Sequence, residues 1–98
     1  MATVRLLGGL REKVGAASLQ VEGARVREVL DALVEKGGPE IGALFYADPE
    51  AEQPAAGRDL RVLVNGRGMQ FLDGLETALA AGDAVTVHLS GARGWPGG

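Results

Sequence analysis

The sequence predicts an α+β fold: one mixed sheet of four to five strands packed on one main helix. Three observations predict it. Short runs of strand-favouring residues recur at residues 3–7, 18–22, 60–64 and 84–90. Only residues 25–36 repeat their apolar positions at steps of three and four. The resulting order is strand, strand, helix, loop, strand, short strand, strand. One helix buries its stripe against a single sheet and leaves the other sheet face open as a docking surface.

Each element follows from its residues. "TVRLL" is a short strand stopped by Gly8 and Gly9. "SLQVE" alternates, with Leu19 and Val21 on one face, and pairs with the first strand as a hairpin over the loop "GGLREKVGAA". Val26, Val29, Leu30, Leu33 and Val34 then form one stripe of an amphipathic helix. Gly37 and Gly38 end it and Pro39 follows, and "PEIGALF" adds one more helical turn. Residues 46–59, with two prolines and the acids Asp48, Glu50 and Glu52, read as a mobile excursion. Residues 60–64 form a strand, Asn65-Gly66 a turn, and residues 69–71 a short return strand. "LDGLETALAAGD" is a compact connection with turns at Asp73-Gly74 and Gly82-Asp83. In "AVTVHLS", Val85, Val87 and Leu89 face one way and Thr86 and His88 the other.

Ninety-eight residues suffice for one domain. We expect residues 1–90 to be that domain, 46–59 an inserted loop, and 91–98 a flexible tail. The chain has no cysteine, which excludes disulfides, zinc thiolates and thiol catalysis. A net charge of −3 gives little attraction for phosphate backbones, so no nucleic-acid partner is expected. No apolar run reaches membrane-span length and the start lacks a signal-peptide layout, so a cytoplasmic protein without a membrane partner is expected. The glycine-rich stretches match no phosphate loop, and the acids of residues 48–52 lack calcium-loop spacing. His88, the one histidine, has no partner base or metal-ligand cluster in the sequence and reads as a solvent-exposed structural residue.

The chain finishes on Gly97-Gly98. Glycine permits close backbone approach and unusual dihedrals, which suits a terminus threaded into a partner's active site. Together with Val64-Asn65-Gly66, with the "GL-x-T-x-L" of residues 74–79 and with the "GD-x-V" of residues 82–85, this ending resembles the ubiquitin-like sulfur carriers. That family includes the small subunit of molybdopterin synthase, the thiamine-pathway carrier and the cysteine-pathway carrier. "LLGGLREKVG" and "ARVREVLDALVEK" resemble the family's first turn and helix, so the likeness covers nearly the whole chain outside residues 46–59.

The resemblance implies a β-grasp fold and a carrier rather than an enzyme. A partner of the ubiquitin-activating type would use ATP and Mg to adenylate the Gly98 carboxylate. A desulfurase- or rhodanese-type donor would supply sulfur, giving a thiocarboxylate that an acceptor enzyme consumes. No cofactor is expected on the chain itself, and no metal. Gly98 and Gly97 are the expected reactive terminus. Trp95 either anchors the tail in an apolar pocket or folds back on the domain, and Pro96 favours an extended backbone. Leu7, Leu63, Met69 and Phe71 are expected on a partner-docking face, or else in ordinary core packing, and Arg5, Arg61 and Arg67 either rim that face with charge or are plain solvated residues. The length and the excursion resemble the molybdopterin-related and cysteine-pathway carriers alike; of these, molybdopterin synthesis, with the large subunit of that synthase as acceptor, is the first expectation. Cysteine, thiamine or tRNA thiolation, and lysine conjugation through Gly98, are the alternatives, ahead of an inert binding module.

Overall fold

The computed structural model describes residues 1–48, 50–52 and 55–89. Five strands form one sheet: β1 (Ala2–Leu6), β2 (Ser18–Val21), β3 (Leu60–Val64), β4 (Arg67–Gly68) and β5 (Ala84–Leu89). Their order across the sheet is β2-β1-β5-β3-β4. β1 lies antiparallel to β2 and parallel to β5, with Leu6 level with Val87. β3 runs antiparallel to both β5 and β4, with Leu63 level with Thr86 and Gly68. The expected mixed sheet is therefore present, with both hairpin-like pairs flanking the central β5.

The period-2 alternation sends Val4, Leu6, Val62, Val85 and Val87 to one face, where all are buried. Against it packs α2 (Val26–Gly37), whose Val26, Val29, Leu30 and Leu33 are fully covered. α3 (Pro39–Phe45) adds Ile41 and Phe45 to the same core. Pro39 opens α3 at a position where a missing N–H costs nothing. Gly38, at φ +108°, makes the corner between the helices, a conformation that a side chain would strain.

Three expectations needed correction. The first hairpin connection is not a plain loop: it holds α1 (Gly9–Val14), whose Leu10 is buried. A six-residue helix shows less than two turns of periodicity, so its pattern is not readable from sequence. Residues 69–71 are not a return strand: β4 stops at Gly68, and Met69–Phe71 is a 3-10 turn. An extended backbone would put Met69 and Phe71 on one face; the helical turn sends Met69 into the core and Phe71 to solvent. Tyr46 belongs to the core, not to the excursion. The base of the excursion is pinned by hydrogen bonds from Ala47 N–H to the Ala55 carbonyl (3.0 Å) and from Gly57 N–H to the Phe45 carbonyl (2.7 Å). Gly57 allows a close approach there: a Cβ would sit 3.0 Å from the Leu44 oxygen, tighter than most such contacts.

Candidate functional site

The sheet face away from the helices is the prominent uncovered surface among the described residues. Its outward positions are Thr3 and Arg5 on β1, Ser18 and Gln20 on β2, Arg61 and Leu63 on β3, and Ala84, Thr86 and His88 on β5. Leu7 extends the β1 row; its N–H donates to the Val87 carbonyl at 3.3 Å, which sets it beside His88. No aspartate or glutamate occupies any of these positions. Thr3 and Gln20 are tied to each other, with the amide donating to the hydroxyl at 2.8 Å. Arg61 folds its Nη1 onto the carbonyls of Arg58 and Leu60 (2.9 and 3.0 Å).

Of the four apolar residues expected to dock a partner, Leu7 (40% exposed), Leu63 (39%) and Phe71 (77%) are accessible. Met69 (7%) is not; it packs in the core. Arg67 does not border the open face either, because its register partner is Val64, on the helix side. His88 is half-buried rather than solvent-exposed. Its Nδ1 is covered and finds no hydrogen-bond partner among the described residues. Gly97, Gly98, Trp95 and Pro96 lie outside the described residues.

Beside this face stands a frame that the family-like motifs build. Asn65 (φ +52°) and Gly66 (φ +85°) both occupy the left-handed region, as a two-residue turn of the mirror-image type requires. The Asn65 side chain then reaches the root of β5: Oδ1 accepts from Ala84 N–H at 2.9 Å and Nδ2 donates to Asp83 Oδ1 at 3.2 Å. Asp83 Oδ2 accepts from Ala80 N–H at 2.8 Å. The Ala80 N–H, and then the Asn65 amide, hold the Asp83 carboxyl below the usual carboxylate range. In "GLET", Leu75 is buried and Gly74 takes φ +58°. Thr77 donates its hydroxyl to the Gly74 carbonyl (2.7 Å) and accepts from Asp73 N–H (3.1 Å). These bonds explain why asparagine, threonine and aspartate stand at these places.

A second polar group ties α2 to this connection. Glu76 pairs with Arg27 (2.7 Å) and Arg25 (3.6 Å), and Tyr46 donates to Asp31 at 2.7 Å. Burial pushes the Tyr46 phenol up, and its bond to Asp31 pushes it further. The spacing of Arg27 and Asp31 on a helix was readable from sequence, but their partners, 49 and 15 residues away, were not.

A cleft of about 350 Å³ lies between Val64, Asn65, Arg67, Leu72, Thr77, Ala78 and Asp83. The side chains of Asn65, Thr77 and Asp83 are already hydrogen-bonded within the chain, so the cleft is a recess behind the β5 root. No group of three or more metal-ligating side chains comes together among the described residues. No helix among them is long and apolar enough to cross a membrane.

A single helix-backed mixed sheet with this strand order and an open face defines a ubiquitin-like β-grasp protein. The profile of the ThiS family matches residues 4–87, and the chain belongs to that family of ubiquitin-like sulfur carriers and modifiers. Small archaeal modifier protein 1 from Methanosarcina acetivorans is 29% identical and superposes with a TM-score of 0.80, over 93% of this chain and 95% of that one. A chain of the BexX/CysO complex of Amycolatopsis orientalis is 26% identical, with a TM-score of 0.75 over 94% and 98%. CysO from Mycobacterium tuberculosis is 28% identical, with a TM-score of 0.72 over 89% and 96%. Among curated proteins none matches.

Proposed function

We propose that this chain is a sulfur carrier activated at the Gly98 carboxylate. The observation that carries the reading is the family match across residues 4–87, with Gly97-Gly98 following the last strand. A carboxylate resists attack at neutral pH. In the activation step, a Gly98 oxygen attacks the α-phosphate of ATP held with Mg by a partner enzyme, and pyrophosphate leaves. A sulfide-level nucleophile from a sulfur donor then attacks the acyl carbon, and AMP leaves with the oxygen. The product is a C-terminal thiocarboxylate. The carrier contributes positioning: its folded face fixes the approach while side-chain-free Gly97 and Gly98 enter a narrow site.

The acceptor we assign first is a molybdopterin synthase large subunit, on the strength of chain length and the 46–59 excursion. That argument applies equally to the cysteine-pathway type, since this chain spans 98% and 96% of the two CysO-related chains. Conjugation to a target lysine is the second reading, favoured by the likeness to a protein named as a modifier. ATP–pyrophosphate exchange with the activating enzyme tests the shared first step. Deletion of Gly97-Gly98 is expected to abolish exchange while leaving the circular-dichroism melt unchanged. Full exchange by the truncated chain would contradict both readings.

A further inference from the structure

The two edges of the sheet differ. β4 is two residues long, carries Arg67 and turns at once into the 3-10 turn, so it is a poor template for another strand. β2, at the other edge, pairs residue for residue with β1 from Ala2–Val21 to Arg5–Ser18, without a bulge. Leu6 N–H donates to the Ala17 carbonyl (2.9 Å), while Thr3 and Leu7 N–H donate to the Asp83 and Val87 carbonyls on the β5 side (2.9 and 3.3 Å). β1 therefore turns its even-numbered residues to β2 and its odd-numbered ones to β5. By the alternation of an antiparallel ladder, Leu19 and Val21 direct their backbone groups to β1, and Ser18 and Gln20 direct theirs off the sheet. These four outward N–H and C=O groups have no partner among the described residues. The Gln20 side chain does not shield them, because its amide donates to the Thr3 hydroxyl on the open face (2.8 Å). An edge is ordinarily protected by a lysine, a proline, a bulge or an inward-pointing charge. Residues 16–21, "AASLQV", hold none of these.

We infer that this edge pairs with the same edge of a second copy, antiparallel about a two-fold axis beside Leu19, joining the two five-stranded sheets into one. In that register Ser18 lies opposite Gln20 of the other copy and exchanges both backbone bonds with it, and the reverse pair does the same. The four outward groups are thus satisfied by the same four groups of the second copy. Leu19 meets itself as the closer-spaced, non-hydrogen-bonded pair on the helix side, where it is half-buried at the margin of the core. Ser18 and Gln20 meet on the open side, so apolar lies on apolar and polar on polar. Glu22, the nearest charge on the strand, falls opposite Ala16 and not opposite itself, so no like charges are juxtaposed although each copy carries −3. A two-fold axis along the strand would make the pair parallel and turn the two Leu19 side chains to opposite faces. One strand pair is small beside a standard interface, so the dimer is weak and concentration-dependent. The two β5 strands stay five strand spacings, about 24 Å, apart. The pairing is independent of the carrier reading.

A dilution series of the labelled full chain by NMR, from about 1 mM to about 10 µM, with sedimentation over the same range, tests the pairing. Concentration-dependent shifts are expected to centre on the amides of Ser18 and Gln20. At the lowest concentration those two amides should exchange freely with deuterated solvent while Leu19 and Val21 stay protected; at the highest all four should be slowed. Gln20→Pro removes an outward donor and leaves the β1–β2 bonds in place, and should weaken dimerisation about tenfold or more, whereas Gln20→Ala keeps the N–H and should keep the dimer. The double variant Ser18→Lys, Gln20→Lys, at exposed positions, sets lysine against lysine and should dissolve the dimer without relying on a proline. A monomer at about 1 mM, shifts centred elsewhere, or a dimer that survives both variants overturns the proposal. So does protection of the Ser18 and Gln20 amides at the lowest concentration; loss of that protection on deleting residues 91–98 would assign the edge to the chain's own tail instead.

Discussion

The two faces of the sheet are built by the same strands and do opposite things. On β1, Val4 and Leu6 are buried while Arg5, and Leu7 just past the strand's end, are exposed; on β3, Val62 is buried while Arg61 and Leu63 are exposed. The covered face is aliphatic along β1, β3 and β5 and packs in one core with α2 and α3. The open face mixes Leu7, Leu63, Arg5 and Arg61 with small or polar residues (Thr3, Ser18, Gln20, Ala84, Thr86, His88), and no acid occupies these positions. A period of two residues therefore separates stability from recognition at single-residue resolution. Changes on one face should register as unfolding, and changes on the other as lost partner contact.

The largest expected effect lies on the covered side. Leu30→Ala removes a fully buried side chain from α2 and should cost about 2–5 kcal/mol in urea unfolding. Less is expected at the seam between core and surface. Tyr46→Phe deletes the hydroxyl bonded to Asp31 and should cost about 1–2 kcal/mol. It should also flatten the alkaline limb. The folded phenol titrates above its ordinary value of 10.0, so its contribution is complete below pH 10 and is lost progressively as pH rises through the folded value. Denaturation midpoints between pH 9 and 11 (about one unit either side of that ordinary value) should fall in the native chain and fall less in the variant.

Smaller still is Leu63→Ala on the open face, expected to change stability by no more than about 0.5 kcal/mol while weakening partner binding. A loss comparable to that of Leu30→Ala would mean the two faces are not separate in function. Asp83 gives the slightest signature. Its carboxyl is held below its ordinary range, so its contribution is present above that range and is lost as pH falls through the lowered folded value. Asp83→Asn should lower the neutral plateau slightly and flatten the acid limb of a stability–pH profile, because the contribution the native chain loses on acidification is already missing from the variant.

Much of the fold was legible because periodicity is local. The strands, the α2 stripe and the Asn65-Gly66 turn follow from residues within a few positions of each other. α1 was not legible because six residues do not complete two turns. The 3-10 turn after β4 was missed because Met69 and Phe71 favour strands by propensity, while their burial is decided by where β4 ends. Tyr46 read as loop because it adjoins a polar excursion, yet its partner Asp31 lies on a helix. At the site, the open face was foreseeable from alternation. Which arginines reach it was not, because Arg67 is assigned to the other side only by its register with Val64. Met69, expected either to dock a partner or to pack in the core, packs in the core because β4 ends at Gly68 and the 3-10 turn carries it inward.

The central claim is that the Gly98 carboxylate is the reacting group of a carrier. Intact mass spectrometry of the untagged chain, incubated with its activating enzyme, ATP, Mg and a sulfur donor, tests it most directly. The account predicts a mass increase equal to exchange of one oxygen for sulfur, mapped by fragmentation to Gly98 and absent when ATP is omitted. An unmodified terminus under conditions where the enzyme activates a known carrier would contradict it.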